Sequence, residues 1–420
     1  MKASFKASKY IGRVICQNRM VLIDGEARSR LEEIALKLNW EKKTDGQFEI
    51  PFFQPKDERE RICLPHFLTF AAKVHKSLGS TERLFFLTGF NLVYQWEDLG
   101  EQVGEQMGGQ LEKQKNGRDE PDAVLYLLGD WEPLKPMVSP VKPLSGGASS
   151  IKFDVDLSKE EFIQKVEIAR DLFSKGELME VVLSREFSAP FFGNAKEFFE
   201  VYRSICPSPY EFLVEDRDFS LVGCSPETMV RVLDREVILR PISGTVRTQD
   251  EIPYLLSSPK EKAELDMLID LGRNDVSRVC IPGVRVEDYR ALLRLSNVIH
   301  TYATVRGTLR KEFEPFHALT SVLNAGTLSG APKLAAMEVI SKLEPRPRGF
   351  YGGSVGVALP DGDLDSAITI RSAIIKNNQI HFRVGATLLH ASEPEREYLE
   401  TEHKARALST AYGLFKNEAL

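Results

Sequence analysis

Two stretches far apart in this sequence carry the same pair of acids. In PKEKAELDMLIDLG, Glu261 and Glu264 stand three residues apart, and in EREYLETEHK so do Glu397 and Glu400. Both stretches read as helix, where residues at i and i+3 share a face. Each pair taken alone fits a solvated helix face equally well. Brought together, four like charges would repel unless a cation lay between them. A hard, oxygen-preferring ion is the natural partner. Magnesium suits best, because it takes few carboxylates, keeps waters and leaves room for an anionic substrate. A carboxylate-bridged di-iron centre is disfavoured, since neither pair carries the E-x-x-H step found there. Lys404 follows Glu400 by one helical turn on the same face.

Other residues have the right types for a small polar site. GTLSGAPK (326–333) places Thr327 and two glycines ahead of a helix, where free amides favour anions. It lacks the spacing of a Walker loop, and an ordinary loop reads as well. PISGT (241–245) offers the Thr245 hydroxyl to a pocket. Gly385, inside the strand-like RVGATLL, allows a ligand or another backbone to come close. His300 alternates with apolar residues in NVIHTYATV, as a core histidine or a functional one would.

The elements that must position these residues lie mainly after residue 150. Ser158 and Glu161 have capping-box spacing ahead of a helix with Phe162, Val166, Ala169, Leu172 and Phe173 on one stripe. EVVLSREF (180–187) reads as a strand, NAKEFFEVYRSI and PFHALTSVLNAG as helices, and Pro332 as the first residue of another. A last helix is expected from about Glu395 to Leu414. Short β segments run between them, separated by turns such as Pro360-Asp361-Gly362. The interleaving lacks regular βαβ alternation, so the expected class is α+β with extended antiparallel sheets. The proline- and glycine-rich segment 134–149 reads as a linker between a variable N-terminal region, 1–133, and a catalytic region, 150–420. Residues 101–122 read as a long polar surface loop.

Bulk properties narrow the function. The 420 residues carry 55 basic and 61 acidic side chains, a net charge of −6. That balance argues against a nucleic-acid binder, though an anionic small substrate needs only a local basic pocket. The 5 cysteines form no C-x-x-C pair and fit a reducing, cytoplasmic setting. No signal-peptide run or membrane-length apolar segment is read.

GELMEVVLSREF, PSPYEF, GCSPE, RPISGT, KEKAELDMLIDLGRNDVSRVC, SNVIH, GTLSGAPK, YGGSVG, GDLDSAITIRSA, VGATLL and EREYLETEHKA, in this order, resemble the chorismate-utilising enzyme family. The resemblance is dense from about 150 to 415 and looser before the linker. It implies two large antiparallel sheets packed face to face, with helices outside and the active site between. It implies Mg²⁺ held by Glu264 and Glu400, with Glu261 and Glu397 as supporting or alternate ligands. Carried over by motif, Glu227 resembles the acid that protonates the leaving ring hydroxyl. Thr245, Thr327 and Gly385 line the substrate, and Tyr351 and Arg371 hold the enolpyruvyl carboxylate. Lys404 contacts a ring carboxylate or the metal's carboxylates, and His300 serves pyruvate elimination.

Within the family the chain is most similar to the synthase subunits that make anthranilate, a step of tryptophan biosynthesis, from chorismate and ammonia. The alternative is an enzyme that stops at aminodeoxyisochorismate or aminodeoxychorismate. Water-adding branches carry a lysine where this chain has Glu180, and a covalent-lysine branch carries it where this chain has Ser243. Glu180 thus joins the catalytic candidates. No G-x-C-x-G nucleophile elbow occurs, so a separate glutamine amidotransferase is the expected partner. Cys206-Pro207-Ser208-Pro209-Tyr210 stands where relatives read N-P-S-P-Y, and no clear L-L-E-S is present. Val246-Arg247-Thr248 also replaces the arginine-glycine that often follows the G-T turn. Tryptophan feedback is therefore not expected, and a specialised pathway gains ground.

Overall fold

The computed structural model describes residues 3–7, 12–17, 20–50, 66–90, 92, 121–128, 152–246, 248–294 and 298–418. The linker 134–149 and nearly all of the polar stretch 101–122 lie outside the described residues. Among the described residues the strands form one sheet of 8 and one of 13. Pairing is antiparallel, apart from Ala3–Ala7, which runs parallel to Tyr210–Glu215. With helices on the outer faces, this is the expected α+β architecture.

Side-chain alternation explains how the layers stack. On the strand Ser220–Ser225, Leu221 joins an apolar layer with Phe85, Tyr126, Phe212 and Ile374, drawn from both sheets. Its neighbour Val222 turns to the other face, against Phe198, Tyr202 and Tyr412 of the helices Ala195–Ile205 and Pro394–Glu418. The strands Arg83–Thr88 and Ala123–Leu128 are buried on both faces and fit inside the larger sheet, between Ser354–Ala358 and Gly12–Gln17. The N-terminal region therefore supplies strands to the same sheet as the catalytic region.

Local signals set the helix ends. Ser158 and Glu161 close a reciprocal capping box at the start of Lys159–Ser174. Asn194 caps Ala195–Ile205, and Ser258 caps Pro259–Ser277. Pro332 stands at the N-cap of Lys333–Leu343, one residue before the helix it was expected to open. The helix Pro394–Glu418 runs past its expected end at Leu414. No helix among the described residues is long and apolar enough to cross a membrane.

Two pairings position the site. Glu180–Pro190 pairs with Gln379–Leu388 in the smaller sheet, setting Gly385 opposite Ser184. In the larger sheet Ile242–Val246 pairs with Ile299–Thr308, setting Thr245 opposite His300.

Candidate active site

A cavity of about 200 Å³ lies between these pairs of strands. Glu180, Thr245, His300 and Gly385 reach it from strands, and Glu264 and Lys404 from the two E-x-x-E helices. Thr327 reaches it from the short 3-10 helix Gly326–Leu328, and Glu227, Tyr351 and Arg371 from the connections between elements. Ten of the thirteen candidates thus face one space. Glu261, Glu397 and Glu400 do not line it, though Glu400 lies 3.5 Å from Lys404, which does.

Carboxyl groups dominate one side. Glu227 sits in the turn between the strands Ser220–Ser225 and Thr228–Leu233, its amide donating to the Ser225 hydroxyl at 3.3 Å. Burial pushes its carboxyl up to about 7, against the pull of the Thr327 hydroxyl and Lys404. That hydroxyl donates to Glu227 Oε1 at 3.0 Å. An acid poised there can lend a proton near neutrality. Glu180 is pushed up to about 8, first by burial and then by the neighbouring charge of Glu264. Its Oε2 makes no hydrogen bond. Burial and Glu261 raise Glu264 as well.

The opposite strands hold the histidine. Nδ1 of His300 lies 2.9 Å from the Gly244 carbonyl and 3.0 Å from the Thr245 hydroxyl. Burial lowers its pKa, which favours the neutral ring. Donation from Nδ1–H to Gly244 leaves Nε2 as a proton acceptor. Gly244 has φ +66°, and a Cβ there would lie 2.8 Å from Glu261 Oε2. The glycine therefore lets the first E-x-x-E helix approach this strand.

On the third side are cations and a phenol. Lys404 Nζ donates to the Gly385 carbonyl at 2.8 Å and lies 3.5 Å from Glu400 Oε1. Burial lowers its pKa while Glu400 opposes that shift. Glu397 is raised by burial, against the Ser392 hydroxyl and nearby Lys260 and Lys404. Arg371 Nη1 donates to the Lys404 carbonyl at 3.0 Å. A Cβ on Gly385 would lie 2.9 Å from the Tyr351 hydroxyl, so the glycine makes room for that phenol. Burial pushes Tyr351 up to about 12, which keeps its proton on.

One charged cavity residue was not among the candidates. Arg383 lines the space two residues before Gly385, on the same strand face. It belongs to a buried ionic frame. Its Nη1 donates to Ser184 Oγ at 3.0 Å and lies 3.3 Å from Glu344, and its Nη2 donates to Asp156 at 3.0 Å. Arg348 donates to both Glu344 oxygens, at 2.9 and 2.6 Å, and stacks 4.4 Å above the Phe90 ring and 5.7 Å from the Tyr351 ring. An arginine set between Phe382 and Val384 on a strand was the available signal for Arg383.

The chain is similar to proteins of known name. Anthranilate synthase component 1 of Neisseria gonorrhoeae is 41% identical over 278 residues, which are 64% of this chain and 56% of that protein. The same component of Thermus thermophilus is 40% identical over 304 residues, 70% of this chain and 65% of that protein. The chain thus spans less than two thirds of either relative. Among solved structures, anthranilate synthase component I of Streptococcus pneumoniae superposes with a TM-score of 0.72 at 25% identity, over 97% of this chain and 92% of that one. The menaquinone-specific isochorismate synthase of Escherichia coli reaches 0.61 at 19% identity, over 96% of this chain and 89% of that one, a likeness of fold alone. A family model described as chorismate binding enzyme matches residues 69–410, which include every candidate residue from Glu180 to Lys404. On that match the chain belongs to the chorismate binding enzymes.

Proposed function

We propose that this chain converts chorismate and ammonia to anthranilate and pyruvate, as a magnesium-dependent lyase. The observation that carries the reading is the meeting of an acid, a neutral histidine and an arginine, Glu227, His300 and Arg371, in one cavity of a chain whose relatives are anthranilate synthase component 1. A separate glutamine amidotransferase would supply the ammonia.

The donor set suits a hard cation. Half-buried Glu264 has an increased proton affinity despite nearby Lys260 and Lys404, and Glu180 Oε2 is unpartnered, so positive charge falls short of the carboxylates here. Among the described residues no three His, Cys, Asp or Glu side chains gather closely enough to hold an ion by themselves. Glu264 and Glu400, supported by Glu261 and Glu397, would therefore hold Mg²⁺ together with a substrate carboxylate and water. When bound, the ion supplies an electrophilic clamp and template.

The chain's own groups account for the proton transfers. Arg371 and Tyr351 hold the enolpyruvyl carboxylate, where a guanidinium fork suits two oxygens. Lys404 faces the ring carboxylate side. Ammonia attacks C2 while the C4 hydroxyl leaves as water, carrying the proton of Glu227. His300 Nε2 then accepts the C2 proton as the C3–O bond to the enolpyruvyl group breaks; the ring becomes aromatic, and the released enolpyruvate takes up a proton at its methylene carbon to become pyruvate. Glu180, held as a neutral acid near pH 7, does not reproduce the lysine of the water-adding branches.

The test is incubation of the purified chain with chorismate, ammonium and Mg²⁺ near pH 8.5, with an EDTA control. Fluorescent anthranilate and an equal amount of pyruvate are expected, both lost with EDTA. An amino product that keeps its enolpyruvyl group, or isochorismate or salicylate, would overturn the proposal.

A further inference from the structure

Arg371 reaches the cavity from an unusual backbone. Its φ is +49°, in the left-handed region. A residue with a Cβ holds that conformation only where its surroundings impose it. Two donors converge on its carbonyl: the Cys224 amide at 3.0 Å and the Tyr202 hydroxyl at 3.0 Å. The guanidinium at the other end is tied to Lys404. Tyr202 lies outside the cavity, on the helix Ala195–Ile205, and is 0% exposed among the rings of Phe198 and Tyr412. Its burial keeps the phenol protonated, hence a donor, across the working pH range.

We propose that Tyr202 is a positioning residue for substrate binding: its hydroxyl, with the Cys224 amide, locks the left-handed turn that presents Arg371 to the substrate. The inference rests on the reading of Arg371 as the partner of a chorismate carboxylate. The lock is already formed in the free protein, and it serves binding in the ground state and the transition state alike. Its loss therefore shows in KM and leaves kcat. A tyrosine that served packing alone would show in thermal stability and leave KM.

The experiment is a double-mutant cycle of Tyr202→Phe and Arg371→Lys, with kcat and KM for chorismate measured at saturating ammonium and Mg²⁺. Tyr202→Phe keeps the ring and is expected to raise KM about 3- to 10-fold, the loss of one hydrogen bond, with kcat within about twofold. In the Arg371→Lys background the same change is expected to add less than about twofold, because groups that act through one another are not additive. Placing 4-aminophenylalanine at position 202, which returns an N–H donor to the same ring, is expected to restore KM. Equal effects of Tyr202→Phe in both backgrounds would overturn the inference, as would a fall in melting temperature with KM unchanged. If Arg371→Lys itself leaves KM unchanged, the carboxylate reading of Arg371 fails and takes the inference with it.

Discussion

Two glutamates at the strand Glu180–Pro190 are almost equally hidden, Glu180 at 2% exposure and Glu344 at 4%, yet their proton affinities move in opposite directions. Burial works against the charge of both. At Glu344 the charges of Arg348 and Arg383 outweigh burial, and the Ser184 amide and hydroxyl donate at 2.8 and 2.9 Å, so the carboxylate stays ionised. Glu180 has Glu264 for a neighbour and an Oε2 without a partner, so its carboxyl keeps its proton. Burial alone therefore does not separate a structural charge from a reactive one. The difference is whether the fold supplies the counter-charge or leaves the place open for something that binds.

That contrast breaks if a cavity glutamate proves essential to folding, or a framework glutamate to chemistry. The largest expected effect is at Glu227. Glu227→Gln cannot donate a proton, and kcat should fall about 10²- to 10⁴-fold with the melting temperature preserved. Second is Glu344→Gln, which strands Arg348 and Arg383. Denaturant titration should show a loss of about 3–5 kcal/mol, while the molecules still folded keep their KM for chorismate. Third is Glu180→Gln, where the sign reverses. The folded pKa of about 8 lies above the carboxyl's ordinary value of 4.5, so the folded state binds more protons between those two values. Stability contributed by the protonated carboxyl is therefore lost as pH rises through this window. The amide should be the more stable variant by on the order of 1–3 kcal/mol at pH 8.5, and its advantage should vanish below about pH 4.5. The smallest effect belongs to Thr327→Val. Its hydroxyl holds the Glu227 pKa down, so its loss should carry the basic limb of the rate, expressed per free ammonia, to higher pH. An unmoved limb would mean that Glu227 is not the acid being read.

Local chemistry made part of this molecule legible in the sequence. The capping box of Ser158 and Glu161 was read before its helix, since a cap is decided within four residues. The two E-x-x-E faces are equally local. That Glu264 and Lys404 share a cavity with Glu180 was not local at all. It depends on strand pairings such as Gly385 with Ser184, some two hundred residues apart, and only family resemblance anticipated it. The ionic frame of Glu344, Arg348, Arg383 and Asp156 went unread for a related reason. Arg383, between Phe382 and Val384, gave a local hint, but the other charges look like any solvated face, and only packing shows that the four neutralise one another.

The pairing of Glu180–Pro190 with Gln379–Leu388 also bears on the chain while it is being made. On a ribosome that has released residues only as far as Ile375, the strand Glu180–Pro190 lacks its long neighbour, and Val181, Val182 and Leu183 stand beside an unsatisfied row of amides and carbonyls. Such an edge is a template for pairing with a second nascent chain. That edge stays without its long partner between synthesis of residue 190 and residue 388. Slowing translation after Ile375 should raise the protein's aggregated fraction more than slowing it after Leu388.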